Sequence, residues 1–265
     1  MPFGRAPFPG PASGEKADRM PERMGNMRKV YAHRGASGYA FENTLKAFEK
    51  AVGIGADGIE TDLQLTKDGV PVIIHDADLY RVTGLRKFIT ELTLDEMRAL
   101  KIGRNRWKRM FGKPAMTFAE FLEWARAAGS PSLNIELKET FLDQPDAVEQ
   151  AVMAAKGYPD LHFSSFHYPL LMQVKQTDPG RETALILTKK SRWDNLGVYG
   201  SSDGFHIHKR LWSGKYLGAI EREHKFARVY GVDGTEPFIP KPEPFIRGWI
   251  TDFPDTVKKA MQKGS

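Results

Sequence analysis

The 265-residue sequence contains no cysteine. Disulfide bonds, a catalytic thiolate and cysteine-ligated zinc are therefore excluded. No apolar run approaches the roughly 20 residues that a transmembrane helix needs, and the N-terminus lacks the apolar core of a secretion signal. Since a chain without cysteine is compatible with a reducing compartment, we predict a cytoplasmic protein.

The chain has a moderate excess of positive charge, with a formal net charge of +6 and a pI near 9.3. This balance suits an anionic ligand, but the basic residues are spread along the chain. The sequence shows neither a recognition helix nor a basic and aromatic platform for single-stranded nucleic acid. We therefore expect a small anionic substrate and no nucleic acid, and the oligomeric state stays open.

Residues 1–26 are rich in proline, glycine and charge, and we predict a disordered leader there. The whole chain has 41% apolar and 27% charged residues, which is typical of a globular protein. Residues 27–265 are long enough to form one large α/β domain with a well-buried core.

Short apolar runs that predict strands alternate with helical periodicity from Lys29 onward. We place the strands near residues 29–33, 58–65, 132–137, 162–166, 183–187, 204–208, 226–231 and 248–252. Helices are predicted near residues 44–54, 118–128, 144–156, 168–177, 212–223 and 254–263. Eight strands alternating with helices indicate a (β/α)₈ TIM barrel. A doubly wound open sheet would need a glycine-rich phosphate loop after the first strand, where His33 and Arg34 stand instead.

Several helix starts have capping signals. T-x-x-E capping boxes begin at Thr93 and Thr117, and Pro254 fits the first turn of the last helix. The first helix has Asn43 or Thr44 as its N-cap. Its predicted apolar stripe is Leu45, Phe48 and Val52.

Charged groups gather where the first three predicted strands end. His33 ends the first strand, Glu60 and Asp62 lie on the second, and Glu136 and Lys138 end the third. Period two places Glu60 and Asp62 on one face of their strand, where two carboxylates repel unless a cation lies between them. Oxygen-only ligands favour Mg²⁺ or Ca²⁺ over zinc. In a TIM barrel, working residues belong at these carboxyl ends.

Four motifs in this order resemble those of the glycerophosphodiester phosphodiesterases. They are H-R-G at 33–35, E-N-T at 42–44, G-A-D-G-I-E-T-D at 55–62 and T-K-D-G-V-P-V-I-I-H-D at 66–76. The likeness continues through N-I-E-L-K at 134–138, F-S-S-F at 163–166 and G-W-I-T-D-F-P-D at 248–255. The sequence departs from the family at Phe41, which replaces a usual proline, and at A-R-V-Y-G (227–231), where the family often has W-T-V-N.

The resemblance implies a fold, a substrate class and a set of site residues. Glu60, Asp62 and Glu136 would be the ligands of one divalent metal, Mg²⁺ or Ca²⁺. Arg34 and Lys138 would neutralise the phosphoryl oxygens of the substrate. That substrate would be a glycerophosphodiester such as glycerophosphocholine or glycerophosphoethanolamine, which is split to glycerol 3-phosphate and an alcohol.

Two histidines are the candidate catalytic groups, because each stands beside a charged partner and flanks the carboxylates. We expect His33 to act as the base and His75 as the acid, in a reaction that passes through a cyclic phosphate. Asp76 either orients His75 or closes the turn, and Asp252 is interpreted as a helix cap. The remaining histidines are expected to be structural: His162, His167, His206, His208 and His224.

Residues 79–116 form an insertion after the second-strand hairpin, over the top of the barrel. Its aromatic side chains are expected to tuck onto the barrel rim, as in an ordinary solvated loop. A lid or a lipid-facing patch is the alternative, for which Trp107, Met110 and Phe111 are the hints.

Two other functions stay open at this point. One is a lysophospholipase D or sphingomyelinase D activity on membrane lipids, which would need an apolar channel or a membrane-facing patch. The other is a barrel that binds phosphodiesters without catalysis, against which the intact histidines and carboxylates speak. No stable membrane insertion is expected in either case.

Overall fold

Nine β-strands occur within residues 28–103 and 105–263, the part of the chain that this computed structural model describes. They are β1 (Lys29–His33), β2 (Gly58–Leu65), β3 (Pro71–Ile73), β4 (Ser132–Leu137), β5 (Leu161–Ser165), β6 (Thr183–Leu187), β7 (Gly204–His208), β8 (Phe226–Tyr230) and β9 (Ile246–Thr251). The leader predicted for residues 1–26 lies outside the described residues.

Eight of these strands close a parallel barrel. Parallel pairing runs in the order β1, β2, β4, β5, β6, β7, β8 and β9, and then returns from β9 to β1. Strand β3 is the exception, because it turns back antiparallel against the end of β2. Closure of the ring excludes an open sheet and confirms the predicted TIM barrel, and each of the eight predicted strands overlaps an observed one.

Helices connect the strands within the described residues. They are α1 (Leu45–Gly53), α2 (Tyr80–Thr83), α3 (Leu94–Arg98), α4 (Arg106–Met110), α5 (Phe118–Ala127), α6 (Pro145–Ala154), α7 (Tyr168–Thr177), α8 (Gly214–Arg222) and α9 (Pro254–Gln262). Short 3₁₀ turns lie at Ile89–Glu91, Glu139–Phe141, Leu196–Tyr199 and Lys209–Leu211. No helix in the described ranges is both long enough and apolar enough to cross a membrane.

Local capping signals were largely predictive. Thr93 and Thr117 both form complete capping boxes, at the starts of α3 and α5, and Pro254 opens α9. Of the two candidate caps of α1, Thr44 is the one whose side chain accepts a backbone bond. The predicted stripe of α1 is only partly right. The buried residues are Ala47, Phe48 and Ala51, because small side chains let this helix approach the barrel closely.

Polar side chains occupy the middle of the barrel. His162 and His206, on β5 and β7, are almost fully buried and meet edge to face with ring centroids 5.7 Å apart. Arg228 on β8 is also buried, and its guanidinium donates to Glu182 at 2.7 Å. Burial, with the positive charge of Arg228 added to it, holds the pKa of both histidines well below the ordinary value.

These two histidines are expected to make the protein less stable in mild acid. Below about pH 6.5 both histidines become protonated in the unfolded chain. In the folded protein His162 and His206 are buried and stay neutral at the same pH. The free energy of unfolding should therefore fall as pH falls, by about 1.4 kcal/mol per pH unit for each histidine. Urea unfolding between about pH 7 and pH 5 measures this slope. A double substitution of both residues by glutamine should flatten it, whereas His224→Asn on the surface is the control.

The segment between β3 and α5 has its own small apolar core. Leu79, Val82, Ile89, Leu92 and Met97 pack against the β3 region in one buried cluster. The chain is tied to the barrel by an isolated bridge that joins Val72 to Thr117. Aliphatic residues therefore fill the space on the barrel side of this segment.

Trp107 and Phe111, with Met110 between them, do not tuck onto the rim, contrary to the expectation from the sequence. Trp107, Met110 and Phe111 are 77%, 57% and 86% exposed. The aliphatic cluster occupies the side of the segment that packs on the β3 region, and it contains none of these three residues.

Candidate active site

Three carboxylates meet at the carboxyl ends of β2 and β4. Glu60 and Asp62 lie on the same face of β2, and strand register places Glu136 of β4 beside Asp62. Each of the three offers an oxygen, and these oxygens lie within 4.8 Å of one another. All three side chains are buried. Register between neighbouring strands thus brings together the residues that the sequence had proposed as metal ligands.

The electrostatics of this cluster fit a bound cation. Burial and the neighbouring Asp62 raise the pKa of Glu136 to about 8, so that without a cation its carboxyl keeps a proton at neutral pH. Burial likewise raises the pKa of Glu60. Crowded, buried oxygens with no nitrogen or sulfur ligand among them suit a hard divalent ion. These residues therefore fit Mg²⁺ or Ca²⁺.

Two cations border the carboxylates. The Nε atom of Arg34 lies 3.2 Å from Oδ2 of Asp62, and Nζ of Lys138 lies 2.9 Å from Oδ1 of the same residue. Lys138 also donates to Glu136. Burial would raise the pKa of Asp62, but Lys138 and Arg34 outweigh it and hold that pKa below the ordinary value. Both predicted phosphate-binding cations thus stand beside the carboxylate cluster.

The H-R-G motif has a conformational reason. Arg34 and Gly35 both adopt left-handed backbone, with φ of 55° and 79°, which turns the chain sharply away from β1. The turn aims the backbone N–H of Arg34 at Oε2 of Glu60, at 2.9 Å. A Cβ atom on residue 35 would stand 2.7 Å from the carbonyl carbon of Ala47. Only glycine fits where the turn meets α1.

Each candidate catalytic histidine is held by a carboxylate. Nδ1 of His33 donates to Oδ1 of Asp252 at 2.7 Å, and Nδ1 of His75 donates to Oδ1 of Asp76 at 2.6 Å. Since a carboxylate accepts only, these bonds fix the Nδ1–H tautomer of the neutral rings and leave Nε2 for chemistry. Nε2 of His33 lies 4.0 Å from Oε2 of Glu60.

The interpretation of Asp252 as a helix cap is wrong. The residue is not the cap of α9, because the N-cap position is Phe253 and no side-chain cap bond forms there. Its carboxylate instead accepts from His33 and from the hydroxyl of Ser37 at 2.7 Å. The available signal was its position directly after β9, at the same end of the barrel as His33.

The pKa values of the two histidines move in opposite directions. Burial opposes the charge of His33, but Glu60 and Asp252 outweigh it and raise its pKa. For His75, burial together with Lys138 and Arg34 outweighs the nearby carboxylates and lowers its pKa. A cation bound by Glu60 and its neighbours would weaken the attraction that raises the pKa of His33.

Asn43 and Glu42 support the cluster from the loop before α1. Asn43 has a left-handed backbone with φ of 54°, which asparagine tolerates better than most residues. Its Nδ2 donates to Oδ2 of Asp62 at 2.8 Å. Glu42 accepts from Arg34 at 3.1 Å and also pairs with Arg81. The conformation of the E-N-T motif thus fixes one metal-ligand candidate and one cation.

Two adjoining spaces open over these groups. An inner cavity of about 110 Å³ touches both histidines and is lined further by Arg34, Glu60, Glu136 and Lys138. An outer cleft of about 470 Å³ shares His75 and Lys138 with it and continues past Asp78 and Phe88. His33 lines the inner cavity but not the outer cleft. A ligand in the inner cavity could therefore extend outward past His75.

A closed TIM barrel with buried carboxylates and two carboxylate-held histidines at the carboxyl ends of its strands has the arrangement of an enzyme active site. Residues 33–203 match the protein-family model described as the Glycerophosphoryl diester phosphodiesterase family. The chain belongs to that family, and it is a phosphoric diester hydrolase.

Individual relatives agree with this assignment. The chain is 51% identical over 240 residues to YhdW of Bacillus subtilis (strain 168), covering 87% of this chain and 96% of the relative. It is 27% identical over 248 residues to a glycerophosphodiester phosphodiesterase of Bacillus altitudinis, covering 89% and 99%. Among solved structures, an Oleispira antarctica phosphodiesterase in complex with the product sn-glycerol-3-phosphate superposes with a TM-score of 0.77 and 27% identity, covering 88% of this chain and 96% of that one.

Proposed function

We propose that the protein hydrolyses glycerophosphodiesters to glycerol 3-phosphate and an alcohol, with His33 as the base and His75 as the acid of the first step. The observation that carries this proposal is the pair of carboxylate-held histidines, which flank one buried acidic cluster in one cavity. The product bound to the Oleispira antarctica relative supports the same substrate class. The cytoplasmic location expected from the sequence stays a prediction.

Glu60, Asp62 and Glu136 would hold one Mg²⁺ or Ca²⁺ ion. When bound, such an ion supplies Lewis-acid stabilisation of the negative charge on the phosphoryl oxygens. Arg34 and Lys138 line the same cavity and would pair with those oxygens, the guanidinium as a planar fork and the ammonium as a point charge. Arg34 and Lys138 would thus hold the phosphodiester in the cavity that both histidines line.

His33 then takes the proton of the free glycerol hydroxyl next to the phosphate, at its Nε2 atom. The glycerol oxygen attacks phosphorus, the bond to the alcohol breaks, and a cyclic phosphate forms. His75 gives the proton at its Nε2 atom to the departing alcohol oxygen. In the second half the roles reverse: His75 takes a proton from water, the hydroxide opens the ring, and His33 returns a proton to the glycerol oxygen.

The direction of this assignment rests on the two spaces of the site. His75 stands between the inner cavity and the outer cleft, whereas His33 lines only the inner cavity. A departing alcohol of variable size needs the open side, so we assign the acid role to His75. In the metal-free site the pKa of His33 is raised and that of His75 is lowered, which by itself favours the opposite assignment. These shifts depend on the charges of the carboxylates, which a bound cation would neutralise.

The direct test is hydrolysis of glycerophosphocholine in the presence of Mg²⁺ or Ca²⁺, with both products quantified. Choline and glycerol 3-phosphate are expected in equal amounts. Release of phosphocholine and glycerol would contradict the proposed bond cleavage, and a cyclic phosphate that persists would contradict the second half-reaction. Faster cleavage of lysophosphatidylcholine would favour the lipid-acting alternative. Failure to cleave a panel of phosphodiesters would favour a binding protein.

A further inference from the structure

We propose that residues 100–114, here called the basic loop, dock onto an anionic phospholipid surface. The loop has six lysine or arginine residues and no aspartate or glutamate in its 15 positions. Three large apolar side chains project from it: Trp107, Met110 and Phe111. Cationic segments with exposed apolar side chains are the kind that enter the interface of anionic membranes.

The exposure of these three residues is unusual. Trp107 and Phe111 are more exposed than any other large apolar residue that the structure describes. Single exposed apolar residues are common on protein surfaces, but a contiguous apolar patch marks an interaction site. Trp107 and Met110 lie three positions apart in α4, which places them on one face of that helix, and the exposed Phe111 follows directly.

Hydrogen bonds hold the base of the loop in place. The backbone N–H of Ile102 donates to the carbonyl of Lys113 at 3.1 Å, and that of Gly103 donates to the carbonyl of Val82 at 3.0 Å. The side chain of Ile102 is buried in the aliphatic cluster below. Lys101 donates to the carbonyl of Met110 at 3.1 Å. Because hydrogen bonds fix the base of the loop while its large apolar side chains are exposed, the loop is preorganised for docking. Preorganisation reduces the entropy lost on binding.

A groove of about 880 Å³ runs beside the loop. Its lining includes Phe111 and Ile102 of the loop, together with Tyr39, Phe41 and Leu45 before and at the start of α1. The groove offers apolar surface that a lipid chain or glycerol backbone could cover. Such a space suits lipid better than nucleic acid, which needs flat stacking partners along a basic track.

The loop lies at the same end of the barrel as the candidate active site. It precedes α5, and its groove reaches the start of α1. Helices that follow barrel strands begin at the carboxyl ends of those strands, which is where the site residues lie. Docking would therefore bring the mouth of the site close to the lipid surface. The proposal does not depend on which phosphodiester is cleaved.

The test is co-sedimentation of the 265-residue chain with vesicles. Binding is expected to vesicles of phosphatidylcholine mixed equally with phosphatidylglycerol, to be weak with phosphatidylcholine alone, and to fall as salt is raised. The double variant Trp107→Ser/Phe111→Ser should bind the mixed vesicles at least about tenfold more weakly, since two aromatic side chains no longer enter the interface. Lys101→Gln/Lys113→Gln should weaken binding and reduce its salt dependence.

The matched control replaces exposed apolar residues elsewhere. Met153→Ser/Val198→Ser, on other parts of the surface, should bind the vesicles as the unmodified chain does. All variants should cleave a water-soluble phosphodiester equally well, which separates docking from catalysis. Absence of binding to the mixed vesicles, or full binding by the Trp107→Ser/Phe111→Ser variant, overturns the proposal. The proposal is also overturned if the chain forms a dimer, or binds a single-stranded oligonucleotide, and the Trp107→Ser/Phe111→Ser variant abolishes that association. In either case another partner than lipid covers the loop.

Discussion

Removal of divalent cations by exhaustive chelation is expected to lower the rate of glycerophosphodiester hydrolysis by about 10³-fold or more. A bound ion contributes several kcal/mol of charge stabilisation to such a reaction, and each 1.4 kcal/mol is about tenfold in rate. Added Mg²⁺ or Ca²⁺ should restore activity, because Glu60, Asp62 and Glu136 present oxygen ligands only. Full activity in protein that elemental analysis shows to be free of metal would contradict the metal assignment.

Glu136→Gln gives this experiment a second readout. Because the pKa of Glu136 is raised to about 8, its carboxyl is already neutral in the metal-free protein at neutral pH. The variant should therefore unfold at the same temperature as the metal-free parent. Saturating Mg²⁺ or Ca²⁺ should raise the unfolding temperature of the parent, by linkage, and not that of the variant. Glu149→Gln, on the exposed side of α6, is the matched control and should keep both the activity and the metal-induced shift.

The barrel and most of the acidic cluster could be predicted because their signals are local. Alternating apolar runs gave the strands, and period two placed Glu60 and Asp62 on one face. Placing Glu136 beside them required only the rule that working residues lie at the carboxyl ends of barrel strands. Each of these inferences uses residues within one strand or a property of the whole fold class.

The supporting contacts could not be predicted because they depend on closure of the ring. His33 and Asp252 are 219 positions apart, and they meet only because β9 pairs with β1. As a residue before Pro254, Asp252 looks like a helix cap in the sequence, and that local signal was misleading. The exposure of Trp107 was not predicted for a similar reason. It depends on which side chains of the segment form the buried cluster against the β3 region.

The two histidines are expected to differ in their response to the leaving group. If His75 is the acid, its task is to protonate a poor leaving group such as choline, and 4-nitrophenolate needs no such proton. His75→Ala should therefore lose on the order of 10² or more in rate on glycerophosphocholine, and far less on glycerol-phospho-4-nitrophenol. His33→Ala should be slow on both substrates, since the attacking hydroxyl still needs a base.

The measurement is kcat/KM of both variants on both substrates, read as a loss of transition-state stabilisation that disappears when the leaving group improves. His208→Ala is the control, because this histidine ends β7 at the same end of the barrel but lines neither the inner cavity nor the outer cleft. Rescue of His33→Ala instead of His75→Ala by nitrophenolate would reverse the two roles. If neither variant is rescued, neither histidine protonates the leaving group, and another group is the acid.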